Sequence, residues 1–328
     1  MDPENRVFKA GPPRPLAEYR DSVKTLLEAS IAPNTRRAYL SRLRQYQDWC
    51  RDSGLTALPA SEETIALYIA ALSRVPASVP TLKQTLAAIR LLHESAGYPS
   101  PCQGSLIQKA VRGYKHTLGR PPQRPEAATA DVVRLLIDAV QKIPASPERR
   151  IRDAALLALG FAGAFRRSEL TALNVEDLQW TLRNGQEILL IQLRRSKTDP
   201  SGRGLVKAIF PSEDKPHAPL RLIRQWLLLL NEREGSLFRR ILRNGTVTPG
   251  RLSDCSIRLI IRQAAQAAGL TMRLSPHSLR SGFVTTAIRA GKSERSIMNQ
   301  TGHRSASVMR EYYRREDAIE DNAARGVL

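Results

Sequence analysis

The sequence predicts a mainly α-helical protein with a small all-helical domain followed by a larger α-rich domain that carries a small antiparallel β-sheet. Three observations support this. Apolar residues recur at three- and four-residue spacing through most of the chain. Only two short runs, EILLIQL and GLVKAIF, read as strands, and they flank one turn-rich loop. A proline-rich polar stretch, GRPPQRPEA at residues 119–127, reads as a linker. A length of 328 residues suits about two domains.

Residues 1–14 are expected to be disordered, and residues 15–118 to form the first domain. PLAEYRDSVKTLLEAS opens it as a helix. In PNTRRAYLSRLRQYQDWCRDSG, Tyr39, Leu43, Tyr46 and Cys50 share one helical face, with Asn34 as N-cap and Gly54 as stop. SEETIALYIAALSR starts on a serine cap signal, VPTLKQTLAAIRLLHESAG ends at Gly97, and SLIQKAVRGYKHTLG closes the set.

Residues 128–328 form the second domain. TADVVRLLIDAVQKI and SPERRIRDAALLALGFAGAFRRSELTAL read as helices, and the near-apolar run from Ala154 to Phe165 marks the second as a core helix. EILLIQL and GLVKAIF make a hairpin around RRSKTDPSGR. Helices follow in PLRLIRQWLLLLNERE, SDCSIRLIIRQAAQAAG, SLRSGFVTTAIRAG, SERSIMNQTGH and SASVMREYYRREDAIEDNAARG.

The formal net charge is +20, and a chain this basic suits a polyanionic partner, nucleic acid first. Arginines number 41 against 10 lysines. The arginine fork matches phosphate oxygens, although GC-rich coding also favours arginine. Cys50, Cys102 and Cys255 are scattered with no CxxC, which argues against a disulfide framework or a cysteine zinc site and for a reducing compartment. The start of the chain lacks a signal-peptide pattern, and the longest apolar run, WLLLL, falls far short of a membrane span. A cytoplasmic protein, nucleoid-associated if prokaryotic, is expected.

Four segments could carry chemistry. In SPHSLRSG, His277 and Arg280 stand three apart at a helix start, where free amides favour an anion. A surface histidine beside an ion-paired arginine reads equally well. GAFRRSEL places Arg166 three before Glu169 after an apolar helix, as a cleft pair or a structural pair. Lys197 lies near the hairpin tip, where lysines are usually just solvated. His303 follows a glycine, and the adjacent Tyr312 and Tyr313 stand among basic residues, either packed or nucleophilic.

Together these segments resemble the tyrosine recombinase (phage integrase) family. The order is Arg166, Glu169, Lys197, His277, Arg280, His303 and, nine residues on, Tyr312. PNTRRAYLSRLRQYQDWCRDSG and RNGTVTPGRLSDCSIR resemble segments of Cre recombinase. The likeness runs over roughly residues 20–328. Cre has a tryptophan at the position of His303, where histidine is commoner in the family. No arm-binding domain is expected before residue 20, which points to a simple Cre- or Xer-like site-specific recombinase.

The resemblance implies that residues 15–118 are a core-binding domain and residues 128–328 a catalytic domain, forming a C-shaped clamp on DNA. It implies catalysis by Tyr312 as nucleophile, with Arg166, Arg280 and His303 on the phosphate, Lys197 as general acid, His277 assisting the tyrosine and Glu169 orienting Arg166. A 3′-phosphotyrosine and a Holliday junction would be the intermediates. No cofactor is expected, because no carboxylate cluster stands out to hold magnesium. The partners implied are double-stranded DNA with an inverted-repeat target and a homotetramer on two such sites. Ala318, Ile319, Ala323, Val327 and Leu328 give the tail an apolar stripe for docking on a neighbouring subunit or folding back. In the first domain, Thr35, Arg36, Arg37, Lys83, Gln84 and Arg90 are expected to contact DNA, mostly at phosphates, a solvated basic face being the other reading. Competing functions are a type IB topoisomerase, a non-catalytic DNA-binding protein, and a zinc hydrolase that lacks ligand spacing.

Overall fold

The computed structural model describes residues 31–75, 77–119, 125–194, 204–213, 215–303 and 312. The expected disordered start, the first helix, the hairpin loop with Lys197, Tyr313 and the tail lie outside the described residues. Two compact units result, dividing between residues 122 and 123, inside the proline-rich stretch.

The first unit contains α1 (Pro33–Asp52), α2 (Glu62–Arg74), α3 (Val79–Ser95) and α4 (Ser105–Leu118). α1 packs on α3, and α2 on α4. On α1, Tyr46 and Cys50 are fully buried and Tyr39 and Leu43 partly so, as the helical spacing requires. Tyr46 meets the Tyr68 ring edge-on at 5.1 Å. Asn34 does not cap α1. Ala32 is the N-cap, Pro33 opens the helix, and Asn34 instead accepts a hydrogen bond from Arg37 at 3.2 Å. Proline's fixed φ suits the first helical turn, which moves the start forward. Ser61 caps α2 as expected, accepting from the Thr64 amide at 3.1 Å.

The second unit opens with α5 (Ala130–Lys142) and α6 (Pro147–Ala162). Every residue of α6 from Arg152 to Gly160 is buried. The sequence reading ran this helix on through RRSELTAL. The structure breaks it after Ala162, and α7 (Arg167–Ala172) starts afresh. The cause is a turn at residues 163–166, where Ala164 takes φ +45° and the Phe165 amide reaches back to the Gly160 carbonyl at 3.2 Å. An unbroken helix would give those residues right-handed torsions.

A three-stranded antiparallel sheet follows, β1 (Leu178–Arg183), β2 (Gln186–Leu193) and β3 (Leu205–Ile209), in that order. The expected β2–β3 pairing is present. β1 was missed, although its signal stands in Asn184-Gly185. Both residues take positive φ (51° and 73°), which is the two-residue hairpin that Asn-Gly favours. α8 (Pro219–Leu230) packs on α6 and buries Trp226, whose indole N–H donates to the Leu237 carbonyl at 2.7 Å. A second small sheet, β4 (Arg239–Ile241) with β5 (Val247–Arg251), was not foreseen, because so short a hairpin carries little apolar alternation. α9 (Asp254–Ala267), α10 (Pro276–Arg289) and α11 (Glu294–Thr301) complete the unit.

Residues 125–128 lie along α10. The Ala128 amide donates to the Ser278 carbonyl at 2.9 Å. A Cβ on Gly282 would stand 1.7 Å from the Ala128 carbonyl oxygen, so only glycine fits there. This close approach seats the helix carrying His277 and Arg280 against the start of the unit.

Candidate active site

Three local structures converge. The first is the turn before α7. Arg166 is the N-cap of α7, and its backbone amide donates to Glu169 Oε2 at 2.9 Å while its Nη1 donates to Glu169 Oε1 at 2.5 Å. Glu169 is buried and fixes the guanidinium from below. The expected three-residue pairing is therefore real.

The second is α10. Ser275 caps it and Pro276 opens it, so its first turn presents His277 exposed and Arg280 buried, on neighbouring positions of one face. Arg280 is 1% exposed. Its Nη1 donates to the Ala164 carbonyl at 2.8 Å, while its Nη2 has no partner among the described residues. Burial, then repulsion from Arg166, draws the Arg280 pKa from 12.5 down to about 10, with Glu169 and Tyr312 opposing. An unspent buried donor on a cation is an anion site in waiting.

The third is the end of α11. Gly302 takes φ +69° and terminates the helix, which turns His303 back toward the arginines. Burial, then the charges of Arg280, Arg166, His277 and Lys207, lowers the His303 pKa to about 3. The ring is thus neutral near pH 7. Its Nδ1 lies 2.8 Å from Thr301 Oγ1, which also lies 2.8 Å from the Ile297 carbonyl. The single Thr301 proton sets the tautomer. On Nδ1 it leaves Nε2–H as a donor; on Ile297 it makes Nε2 an acceptor.

Tyr312 completes the group. Its hydroxyl lies 3.4 Å from His277 Nε2, at the long end of hydrogen bonding, and its ring packs by Val284, Ala287 and Ile297. Arg166, Glu169, His277, Arg280, His303 and Tyr312 therefore form one cluster. Lys197 lies outside the described residues.

Sequence reading missed Lys207 and Gln300, which sit behind the arginines. Their signal was faint. Strand periodicity puts Lys207 on the same inward face as Leu205 and Ile209. In the first unit, Arg36, Arg37, Lys83 and Arg90 are exposed and Thr35 and Gln84 are half-buried, on the packed pair α1 and α3. Arg90 also forms a 3.6 Å ion pair with Glu94.

A tyrosine, two arginines and two histidines thus cluster on a helical scaffold. Residues 126–318 match the phage integrase family and residues 23–96 match its N-terminal SAM-like domain. The chain is 34% identical to an integrase/recombinase XerD homolog of Selenomonas ruminantium, over 92% of this chain and 87% of that protein. It is 25% identical to the recombinase Cre of Escherichia phage P1, over 88% of this chain and 86% of that one. In fold it resembles the DNA-bound lambda integrase fragment of residues 75–356, with a TM-score of 0.60, 16% identity, and 93% and 97% of the two chains covered. The chain belongs to the phage integrase family. It is an enzyme, a tyrosine recombinase that cleaves and rejoins DNA in site-specific recombination. No described helix is long and apolar enough to cross a membrane.

Proposed function

We propose that Tyr312 is the nucleophile of this recombinase, and that Arg166, Arg280, His303 and Lys197 serve the phosphate it attacks. The carrying observation is the Arg280 guanidinium, buried, with Nη2 unpartnered among the described residues, in a cluster that holds Arg166 and the Tyr312 hydroxyl. A phenol has a pKa near 10 and attacks only as it loses its proton. His277, at 3.4 Å, accepts that proton or shares it. The Tyr312–phosphorus bond forms as the bond to the 5′ oxygen breaks. Arg166 and Arg280 stabilise the charge that grows on the non-bridging oxygens, and His303 adds an Nε2–H donor when the Thr301 proton lies on its Nδ1. Lys197 protonates the departing 5′ oxygen. The 3′-phosphotyrosine keeps the bond energy, so a 5′-hydroxyl from another strand reverses the attack without a nucleotide cofactor.

The finer reading extends to assembly. Four subunits on two inverted-repeat sites exchange strands through a Holliday junction, in the cytoplasm, and on the nucleoid if the source is prokaryotic. The core-binding domain, residues 15–118, and the catalytic domain, residues 128–328, joined by 119–127, both bind the duplex, with Thr35, Arg36, Arg37, Lys83, Gln84 and Arg90 contributing mostly phosphate contacts. Support for the assembly comes from an apolar groove of about 450 Å³ in the second unit, lined by residues including Val133, Ile137, Phe161, Phe283, Ala287 and Ile297. The occupant proposed for it is the tail of a neighbouring subunit, whose apolar stripe is Ala318, Ile319, Ala323, Val327 and Leu328.

Covalent trapping tests the reading. The protein is incubated with DNA from its own source and quenched in detergent, and the ends of protein-linked fragments are sequenced. A few enriched sites are expected from wild type and Tyr313→Phe, and none from Tyr312→Phe. Adducts that persist in Tyr312→Phe would overturn the assignment. Adducts scattered along the DNA would point to a topoisomerase-like relaxing enzyme.

A further inference from the structure

β3 carries a residue that strand formation does not account for. Lys207 is fully buried, and lysine is almost never so buried without a paired charge. No carboxylate pairs with it among the described residues. Its Nζ donates instead to three carbonyls, Gly163 at 2.6 Å, Ala164 at 3.4 Å and Gln300 at 2.8 Å. It also stands 4.7 Å from the centroid of the Phe165 ring. An ammonium has three donors and so matches three acceptors, and a ring face adds attraction for the cation.

The position of these carbonyls gives the arrangement its meaning. Gly163 and Ala164 form the turn that delivers Arg166. Ala164 is in the left-handed region at φ +45°, which alanine adopts only when its surroundings impose it. Its carbonyl also accepts Arg280 Nη1 at 2.8 Å. Gln300 lies in the last turn of α11, just ahead of His303. Its side-chain amide donates to the Ala162 carbonyl at 2.9 Å and the Ala208 carbonyl at 3.1 Å. One buried cation therefore joins the turn before Arg166 to the helix end before His303, and Arg280 reaches the same turn through the Ala164 carbonyl.

We propose that Lys207 is a positioning residue for the phosphate site, its ammonium holding the α6–α7 turn and the end of α11 together and so setting the spacing of Arg166, Arg280 and His303. It touches no reacting atom. The charged or titratable groups facing it are Glu169 and Arg166 beside the turn, Arg280 on α10 and His303 after α11. Burial draws its pKa from 10.5 to about 7, with Glu169 opposing and the two arginines adding to the shift. Deprotonation leaves two donors for three carbonyls. The clamp therefore loosens as pH rises through about 7, whereas an arginine there stays charged.

This proposal rests on the strand-cleavage reading, and its test has two arms so that the two can fail separately. Both use the full chain as wild type, Lys207→Met and Lys207→Arg. In the first arm, without DNA, hydrogen exchange is followed residue by residue. Lys207→Met should lose protection at residues 163–170 and 298–303 while α6 and α8 keep theirs, and Lys207→Arg should restore it. Unchanged exchange at those segments, or loss of protection throughout both variants, would overturn the proposal. In the second arm, adduct formation is timed from about pH 6 to about pH 9, spanning the lysine's titration, on the duplex recovered by trapping. Lys207→Met should be slowed about 100-fold, the usual cost of a small misplacement, with DNA affinity unchanged. Lys207→Arg should move the alkaline fall in rate to higher pH. Identical pH profiles for all three proteins would also overturn it. If wild type forms no adduct at all, the strand-cleavage reading fails, and the exchange arm still decides the positioning role.

Discussion

Replacing Arg280 with methionine separates what this residue does for the fold from what it does for the chemistry. The guanidinium is 1% exposed, donates to the Ala164 carbonyl through Nη1 and leaves Nη2 unpartnered among the described residues. Its pKa falls from 12.5 to about 10, because burial and then Arg166 disfavour the charge. A cation whose folded pKa is depressed weakens the folded state at every pH below that value. Moving from 12.5 to about 10 at about 1.4 kcal/mol per pH unit, the charged side chain costs roughly 3–4 kcal/mol at neutral pH. Methionine removes that cost and loses one charge-assisted hydrogen bond, about 1.5–3 kcal/mol. The two terms largely cancel, so the variant should unfold within about 2 kcal/mol of wild type. Adduct formation should fall about 100- to 1,000-fold, as when one charge-stabilising donor is removed. Urea unfolding followed by tryptophan fluorescence gives the first number, and covalent trapping the second. Inorganic sulfate should raise the wild-type midpoint and leave the variant's in place. A loss of stability of about 3 kcal/mol or more, the value for breaking a buried pair, would make the guanidinium a structural prop rather than a donor held open for phosphate.

Glu169→Gln keeps the shape of the α7 cap and removes the charge beneath Arg166, so stability should drop by about 1.5–3 kcal/mol and cleavage should slow; unfolding curves that superimpose would contradict the pairing. His303 has a folded pKa of about 3 against 6.5 for the free side chain. The unfolded chain therefore takes up the proton first, and stability rises with pH between about 3 and about 6.5. His303→Asn should flatten that slope, and parallel curves would remove His303 from the account. Deleting residues 317–328 should leave single-site DNA binding and abolish pairing of two sites, as read by gel shift; unchanged recombination would exclude tail docking.

The helix stripes were legible because periodicity is a local property. Tyr46 and Cys50 on α1 face inward as their spacing requires, and β2 and β3 pair around the loop that separates them. The errors came where one local preference outvoted another. Pro33 displaced Asn34 as the start of α1, and the turn at residues 163–166 interrupted a run that is apolar enough to read as one helix. β1 escaped notice although Asn184-Gly185 marked its hairpin.

The chemical inventory is legible in residue order alone. The spacing of Arg166, Glu169, His277, Arg280, His303 and Tyr312, with the net charge of +20, was enough to indicate the family and the kind of substrate. Which polar groups are spent and which are left with an unused donor is set by the packing of the folded chain. Arg280 has one satisfied donor and one unsatisfied, His303 depends on a single threonine proton, and Lys207 sits buried among carbonyls from segments far apart in the chain. Burial and hydrogen bonding depend on which distant residues close around a group, and no spacing along one chain can specify that.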